Sequence, residues 1–125
     1  KDMLVASIMA EDWIESLKVM KKLCIKATDV EQGVRAIYNA IADYTLKYEP
    51  IWEEYEGVPS GFHQRHVMLR SQLSDLLSEL LNRLGHQEDT QLCPLLGETI
   101  LACAMQKDIP YSSLSQLVNR LFSIN

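Results

Sequence analysis

The sequence predicts an all-α fold, and three observations lead to that prediction. Apolar residues recur every three or four positions in successive segments, which is the period of an amphipathic helix. No segment shows the strict alternation of apolar and polar residues that is typical of half-buried strands. Pro50, Gly85 and Pro110 separate the periodic segments, as residues that end helices do. We therefore predict one domain of six helices over residues 1–125.

The first three predicted helices occupy the first half of the chain. The first covers residues 3 to about 22, with a frayed or continued end. Thr28 and Glu31 then have the spacing of a capping box, in which a hydroxyl and a carboxylate satisfy backbone donors of the next helix. We expect that helix to end before Pro50, because proline disfavours helical geometry in the residue before it. A short third helix is predicted over residues 50–56, with the proline in its first turn.

The longest predicted helix follows a loop at residues 57–61. It covers residues 62–84 and carries a leucine-rich apolar face. Its length of roughly 35 Å matches the width of a small domain, so we expect the shorter helices to pack around it. Ser60 is suited to cap its start, and Gly85 can adopt the left-handed conformation at its end.

The last two predicted helices carry more apolar surface than the other four helices of the domain can cover. The helix at residues 90–106, capped by Thr90 or Cys93, is apolar nearly all round, and Gly97 allows another helix to approach closely. The helix at residues 111–123 has two apolar edges. We expect a second copy to cover both helices in a dimeric four-helix bundle, and a central helix in a monomer core is the alternative. The predicted dimer interface is Leu96, Gly97, Ile100, Leu101, Ala104, Leu114, Leu117, Val118, Leu121 and Phe122.

Composition argues against several classes of protein. A net charge of -5 is unfavourable for a nucleic-acid surface, because phosphate contacts need clustered Lys and Arg. Cys24, Cys93 and Cys103 lie in apolar runs without CxxC spacing and read as small buried hydrophobes in a reducing compartment. No signal peptide is visible, and no apolar run reaches the roughly 18 residues of a membrane span. We expect a cytoplasmic protein that does not contact a membrane.

Motifs for catalysis or for a cofactor are not found. The sequence has no Gly-rich phosphate loop, no GxSxG and no HExxH, so we expect a protein that is not an enzyme. His63 and His66, with the carboxylates of residues 53–56 upstream, could hold a divalent ion. This spacing is a weak signal, and we prefer a solvated His63 and a hydrogen-bonded His66 without metal.

The start of the chain carries the more specific sequence signal. The chain opens with Lys1-Asp2-Met3-Leu4, without an initiator Met or a capping residue, so we expect a preceding segment. This opening is similar to the Ser-Lys-(Asp or Glu)-x-Leu pattern that begins the helix after the DNA-recognition helix in TetR-family transcriptional regulators. The order of helix lengths also resembles the C-terminal half of that family. The resemblance implies a homodimer that binds DNA only through an N-terminal helix-turn-helix outside this chain.

The resemblance also implies a pocket for a small effector among the middle helices. Such pockets are mostly apolar with a few polar groups, and this region is rich in Tyr and Trp. An ordinary aromatic core is the alternative. Arg70 is a better candidate than Arg65 for binding a carboxylate effector, although ion pairs with nearby Glu residues explain both. The predicted ligand-binding residues are Tyr38, Ile41, Tyr44, Tyr48, Trp52, Phe62, His66, Leu69, Arg70 and Leu73.

Two functional hypotheses follow from the sequence. The first is an effector-sensing and dimerisation domain of a TetR-like repressor, in which an unidentified apolar or aromatic ligand controls DNA binding allosterically. The second is a standalone helical adaptor or chaperone whose apolar helix pair binds a helix of a partner protein.

Overall fold

All described secondary structure is helical, which confirms the all-α prediction. The computed structural model describes residues 2–54, 62–106 and 108–122, and the side chains of residues 7–50, 66–106 and 108–122. None of the helices in these ranges is long and apolar enough to cross a membrane. A 3₁₀ helix, Gln87–Leu92, leads directly into the fourth α-helix. The five α-helices are α1 (Asp2–Lys26), α2 (Val30–Glu54), α3 (Phe62–Arg83), α4 (Cys93–Met105) and α5 (Tyr111–Phe122).

The second helix is longer than the sequence predicts. We expected it to end before Pro50 and a separate helix to begin there, but α2 continues through Pro50 to Glu54. A proline inside a helix removes one backbone hydrogen bond, here the bond to the carbonyl of Leu46, and it can be accommodated where the rest of the helix is held. The prediction of a separate short helix at this position is therefore wrong. Tyr55 and Glu56 lie outside the described residues, as does the predicted cap Ser60.

The start of α2 has a different cap from the predicted one. Asp29 Oδ1 accepts a hydrogen bond from the backbone N–H of Gln32 at 2.8 Å, and Gln32 Oε1 accepts one from the N–H of Thr28 at 3.0 Å. The reciprocal pattern of a capping box is present, but it uses Asp29 and Gln32 instead of Thr28 and Glu31. The carboxylate of Glu31 consequently remains available for contacts with another helix.

The centre of the fold is α2, which contacts each of the other four α-helices. Val34, Ile37 and Ile41 are buried along its length and belong to a single hydrophobic core that includes residues of all five helices. The sequence pointed to the helix at residues 62–84 as the element that organises the others. The structure gives that position to α2, because α2 contacts all four other α-helices, whereas the described residues of α3 do not contact α5.

A glycine allows α2 and α3 to approach closely. A Cβ atom on Gly33 would lie 2.3 Å from Cδ2 of Leu80 and 3.0 Å from its Cδ1, and Leu80 is buried in α3. The carbonyl of Gly33 also accepts a weak hydrogen bond from the thiol of Cys24 at 3.8 Å. This position therefore brings α1, α2 and α3 together, and a side chain there would have to displace core atoms.

The end of α3 is fixed by a glycine and by an arginine. Gly85 has φ of 87°, which confirms the predicted left-handed residue after the helix. Arg83 donates from Nη2 to the carbonyl of Ala27 at 2.7 Å and to that of Cys24. The Cys24 carbonyl also accepts from the N–H of Ala27 at 3.3 Å, and Ala27 directly follows α1, so Arg83 caps the end of α1 from α3.

We expect two Gly→Ala substitutions to have opposite effects on stability. Gly33→Ala places a methyl group against Leu80 and should lower the free energy of unfolding by about 1 kcal/mol, after the gain in helix propensity is included. Gly97→Ala is the matched control, because its Cβ would lie no closer than 3.5 Å to any neighbour. That variant should be neutral or more stable by up to about 1 kcal/mol. Urea denaturation followed by circular dichroism measures both values, and a Gly33→Ala variant at least as stable as Gly97→Ala would contradict the packing described here.

Candidate functional site

Two of the tyrosines predicted to bind a ligand face α1. The hydroxyl of Tyr44 donates to the carbonyl of Met9 at 2.9 Å, and that of Tyr48 donates to the carboxylate of Asp12. Burial and the hydrogen bond to Asp12 raise the pKa of Tyr48 to about 12. Because both hydroxyls already have protein partners, they join α2 to α1 and need no ligand to be satisfied.

A tryptophan on α1 completes this aromatic group. The indole N–H of Trp13 donates to Oε1 of Gln72 on α3 at 2.7 Å, and its ring lies 5.3 Å from that of Tyr44 in an edge-on arrangement. Trp13 is buried where α1, α2 and α3 meet. Nothing in the local sequence predicts this contact, since Gln72 lies 59 positions from Trp13.

The other predicted ligand-binding residues are distributed over the core and the surface of α3. The ring of Tyr38 packs against that of Tyr111 at 4.8 Å on the α5 side. Ile41 and Leu73 are buried in the core, and Leu69 is half-buried against it. The side chains of Trp52, Phe62 and His63 lie outside the described residues.

His66 and Arg70 do meet, and they do so at a carboxylate of α4. His66 Nε2 pairs with Oε1 of Glu98, and Arg70 Nη1 donates to Oε2 of the same residue at 3.3 Å. We call these three residues the Glu98 cluster. His66 and Arg70 are four positions apart, so they project from the same face of α3. The prediction of a hydrogen-bonded His66 is confirmed. Arg70 pairs with Glu98 of α4, a partner that the sequence did not predict, and its binding of an effector carboxylate stays a prediction.

The surroundings of the Glu98 cluster are partly open to water. The three side chains are between 33% and 40% exposed. The hydrogen bond from His66, followed by the contribution of Arg70, holds the pKa of Glu98 below its usual value. Glu98 was missed as a site residue, although the sequence contains a usable signal. It is the one charged residue between Cys93 and Met105, in a helix that is otherwise almost entirely apolar.

A second polar cluster joins the start of α2 to α5. Oε2 of Glu31 accepts hydrogen bonds from Arg35 at 2.8 Å, from Tyr111 at 2.5 Å and from Ser115 at 3.3 Å. We call this the Glu31 cluster. Burial raises the pKa of Glu31, but the hydrogen bonds from Tyr111, Arg35 and Ser115 outweigh it and leave the pKa lowered. Glu31 is 12% exposed and Arg35 is 56% exposed, and the contacts with Tyr111 and Ser115 hold α5 on α2.

A shallow groove of about 160 Å³ lies between α1 and α3. Cys24, Ile25 and Leu76 form part of its lining, with Lys21 and Arg83 at its charged edge. Cys24, Cys93 and Cys103 are free and buried, which confirms their interpretation as small core residues. Burial raises the pKa of the Cys24 thiol to about 11, so it is protonated at neutral pH and is a poor nucleophile. The groove therefore offers no reactive cysteine.

The structure gives His66 a protein partner, Glu98, and it does not describe the side chain of His63, the other histidine considered as a metal ligand. Among the described residues, His86, Glu88 and Asp89 form a group whose potential ligand atoms lie within 4.8 Å of one another. These are neighbouring positions at the start of the 3₁₀ helix, and the ring of His86 packs edge-on against Phe122 at 5.4 Å. Clusters of this local kind are common on protein surfaces without an ion.

Most of the residues predicted to form a dimer interface are buried inside the subunit. Gly97 faces α3, since its nearest neighbours include the carbonyl oxygen of Arg70 and Cβ of Leu73. Ala104 is half-buried, whereas Leu117 and Leu121 are exposed. Only these last two, of the ten, present a large apolar side chain to a partner. The residues buried within the chain are Leu96, Gly97, Ile100, Leu101, Leu114, Val118 and Phe122.

The side of α4 that faces away from the core carries apolar side chains beside the half-exposed Glu98 and Thr99. Leu95 is 68% exposed and Met105 is 42% exposed, and the small residue Ala102 lies between them on the same face. On α5, Leu117 and Leu121 are four positions apart, and the latter is 51% exposed. We call Leu95, Ala102, Met105, Leu117 and Leu121 the exposed apolar residues of α4 and α5. Large side chains of this kind are unusual on a monomer surface when several occur on neighbouring helices.

The Glu31 cluster gives a testable pH dependence. Because the pKa of Glu31 is lowered in the folded state, its stabilising contribution is complete above its ordinary value and is lost as the pH falls through the folded value. Glu31→Gln keeps the shape but cannot ionise, so we expect its Tm at pH 7 to be about 5 °C below that of the wild type.

The difference between wild type and Glu31→Gln should shrink towards zero between about pH 5 and pH 3. Glu15→Gln, which changes an exposed carboxylate on α1, is the control and should follow the wild type at pH 7. Thermal unfolding by circular dichroism across this range measures the effect. A difference that stays constant down to pH 3 would exclude the ionised Glu31 as the source of the stability.

No protein-family model, curated protein or solved structure matches this chain. The function must therefore be inferred from the residues themselves. Among the described residues, three features are considered for function: the half-exposed Glu98 cluster between α3 and α4, the exposed apolar residues of α4 and α5, and the exposed apolar residues of α1.

Proposed function

We propose that this chain is the effector-sensing and homodimerisation domain of a TetR-like transcriptional repressor. In this proposal the last two helices of each copy form a four-helix bundle, a small molecule binds next to the middle helices, and DNA is contacted by an N-terminal helix-turn-helix outside these 125 residues. The protein is cytoplasmic in this scheme and catalyses no reaction. The resemblance of the opening residues supports it, together with the long α3 followed by two shorter helices, although the short helix expected at residues 50–56 is part of α2.

The observation that carries the proposal is the apolar outer side of α4 and α5. One side of α4 is buried against α2 and α3, and its opposite side exposes Leu95, Ala102 and Met105. Exposed apolar side chains on neighbouring helices are stabilised when a partner covers them, and Glu98 lies beside them on α4. A second copy supplies a matching surface without any additional partner, because a two-fold interface places the same residues of both copies against each other.

The effector site in this proposal is the region of α3 that carries His66 and Arg70. These side chains connect α3 to α4, the helix that carries part of the proposed interface. A ligand that breaks the contact between α3 and α4 would bind more tightly to an arrangement of α4 without this contact than to the present arrangement. Such unequal binding of two states is the requirement for an allosteric effect. The polar groups are half-exposed and therefore accessible to a small molecule.

The path from this site to the start of α1 uses contacts that are already present. Gln72 on α3 accepts a hydrogen bond from Trp13 on α1, and Tyr44 and Tyr48 bind the same part of α1 from α2. A displacement of α3 would therefore be transmitted to α1 through short, directional contacts. In a TetR-like protein the beginning of α1 would carry the DNA-binding domains, so their spacing would follow the position of α1.

A standalone helical adaptor is the second candidate, and one observation favours it. Along α1, Ile8, Val19 and Leu23 are exposed on one flank, and Ile14 and Ile25 are exposed on the other. A partner helix could bind to either flank by the usual packing of apolar side chains. This function needs no homodimer, so the oligomeric state separates the two candidates.

We expect the wild-type chain to sediment as a dimer at about 10 µM, as a stable homodimer does. Replacing both Leu117 and Leu121 by Glu should raise the dissociation constant at least about a hundredfold, because two carboxylates would lose their hydration in an apolar interface. Leu46→Glu is the control, since Leu46 is an exposed leucine on α2, 66% exposed against 44% for Leu117 and 51% for Leu121. Analytical ultracentrifugation of the three proteins measures the change.

A wild-type chain that sediments as a monomer would overturn the proposed function and favour the adaptor. A double variant that remains as dimeric as the Leu46→Glu control would show that the dimer uses another surface. Circular dichroism of each variant verifies that its helical content matches that of the wild type.

A further inference from the structure

The Glu98 cluster has the geometry of a two-point binding site for a carboxylate. Each oxygen of Glu98 has its own partner, His66 for Oε1 and Arg70 for Oε2. Both partners come from one continuous helix, α3, whereas the carboxylate comes from α4. The two binding groups are therefore held in place together, and the carboxylate that they bind can be replaced without disturbing their arrangement.

The internal carboxylate is held weakly enough to be replaced. All three side chains are a third or more exposed, and ion pairs with that exposure contribute little because water and salt screen them. A free ligand that has both a carboxylate and an apolar body gains additional binding free energy when that body is buried. Glu98 gains no such free energy when it contacts His66 and Arg70, because its side chain is already attached to α4.

Apolar surface lies next to the cluster on both helices. Leu69 is half-buried on α3, between His66 and Arg70 in the sequence. Leu95 is exposed on α4, one turn before Glu98, and Ala102 is exposed one turn after it. A molecule with a carboxylate at one end and an apolar body would find partners for both parts in this region.

We propose that the effector is an anionic molecule of this kind, and that its carboxylate displaces Glu98 from His66 and Arg70. The inference rests on the proposed sensing function and specifies its ligand class. Displacement removes two contacts between α3 and α4, so it favours a state in which α4 is positioned differently. Loss of this internal contact then couples ligand binding to α4, which carries part of the proposed dimer interface. Glu98 competes with the effector for His66 and Arg70.

The test compares a carboxylate with its neutral counterpart on matched variants. Octanoate and octanamide are titrated into the wild-type chain by isothermal calorimetry, and then into Glu98→Gln, Arg70→Gln and Lys18→Met. We expect octanoate to bind Glu98→Gln with a dissociation constant about tenfold lower than that of the wild type, because the competing charge is absent. Arg70→Gln should lose the preference for octanoate over octanamide. Lys18→Met, which removes a positive charge from the exposed surface of α1, should retain it.

Equal binding of octanoate and octanamide to Glu98→Gln would overturn the inference, as would an unchanged preference in Arg70→Gln. Sedimentation of the same samples separates the two claims. A dimer without any preference for octanoate contradicts the carboxylate inference and leaves the proposed function standing, whereas a monomer contradicts the proposed function itself. Thermal unfolding of each variant verifies that it is folded at the temperature of the titration.

Discussion

The fold depends on the burial of one face of α2 between the other helices. Val34 and Ile37 are completely buried there, and each side chain of this kind stabilises the folded state by roughly 1.5–3 kcal/mol. Gly33 lets α3 come close enough to cover this face, with Leu80 in the space that a side chain would fill. Because α2 contacts every other α-helix, a change in its position would alter the packing of the whole subunit.

Polar contacts around this core join the helices in pairs. Tyr48 with Asp12, and Glu31 with Tyr111, hold α1 and α5 on α2, and the Asp12 side chain is 33% exposed. The Glu98 cluster joins α3 to α4 without using α2, and its side chains are 33–40% exposed. In the proposed function, the contact at Glu98 is the one that a ligand would change.

The sequence predicted local structure better than the contacts between helices. Apolar spacing located the long helices and Gly85 located the end of α3, because both signals depend only on nearby residues. Pro50 misled the prediction, since its effect depends on whether the surrounding helix is held by packing. The partners of Tyr48 and His66 lie 36 and 32 positions away, and periodicity carries no information on which side chains meet across helices. The lone charge of Glu98 in an apolar helix was the available hint.

The central claim is that this helical subunit exists to pair with a second copy and to bind a small molecule. Native mass spectrometry of the wild-type chain, purified without denaturation, tests both parts in one spectrum. Our account expects a species of twice 14.3 kDa that carries the additional mass of a small acid, released when the sample is denatured. A spectrum that contains only the 14.3 kDa chain, without any adduct, would contradict it.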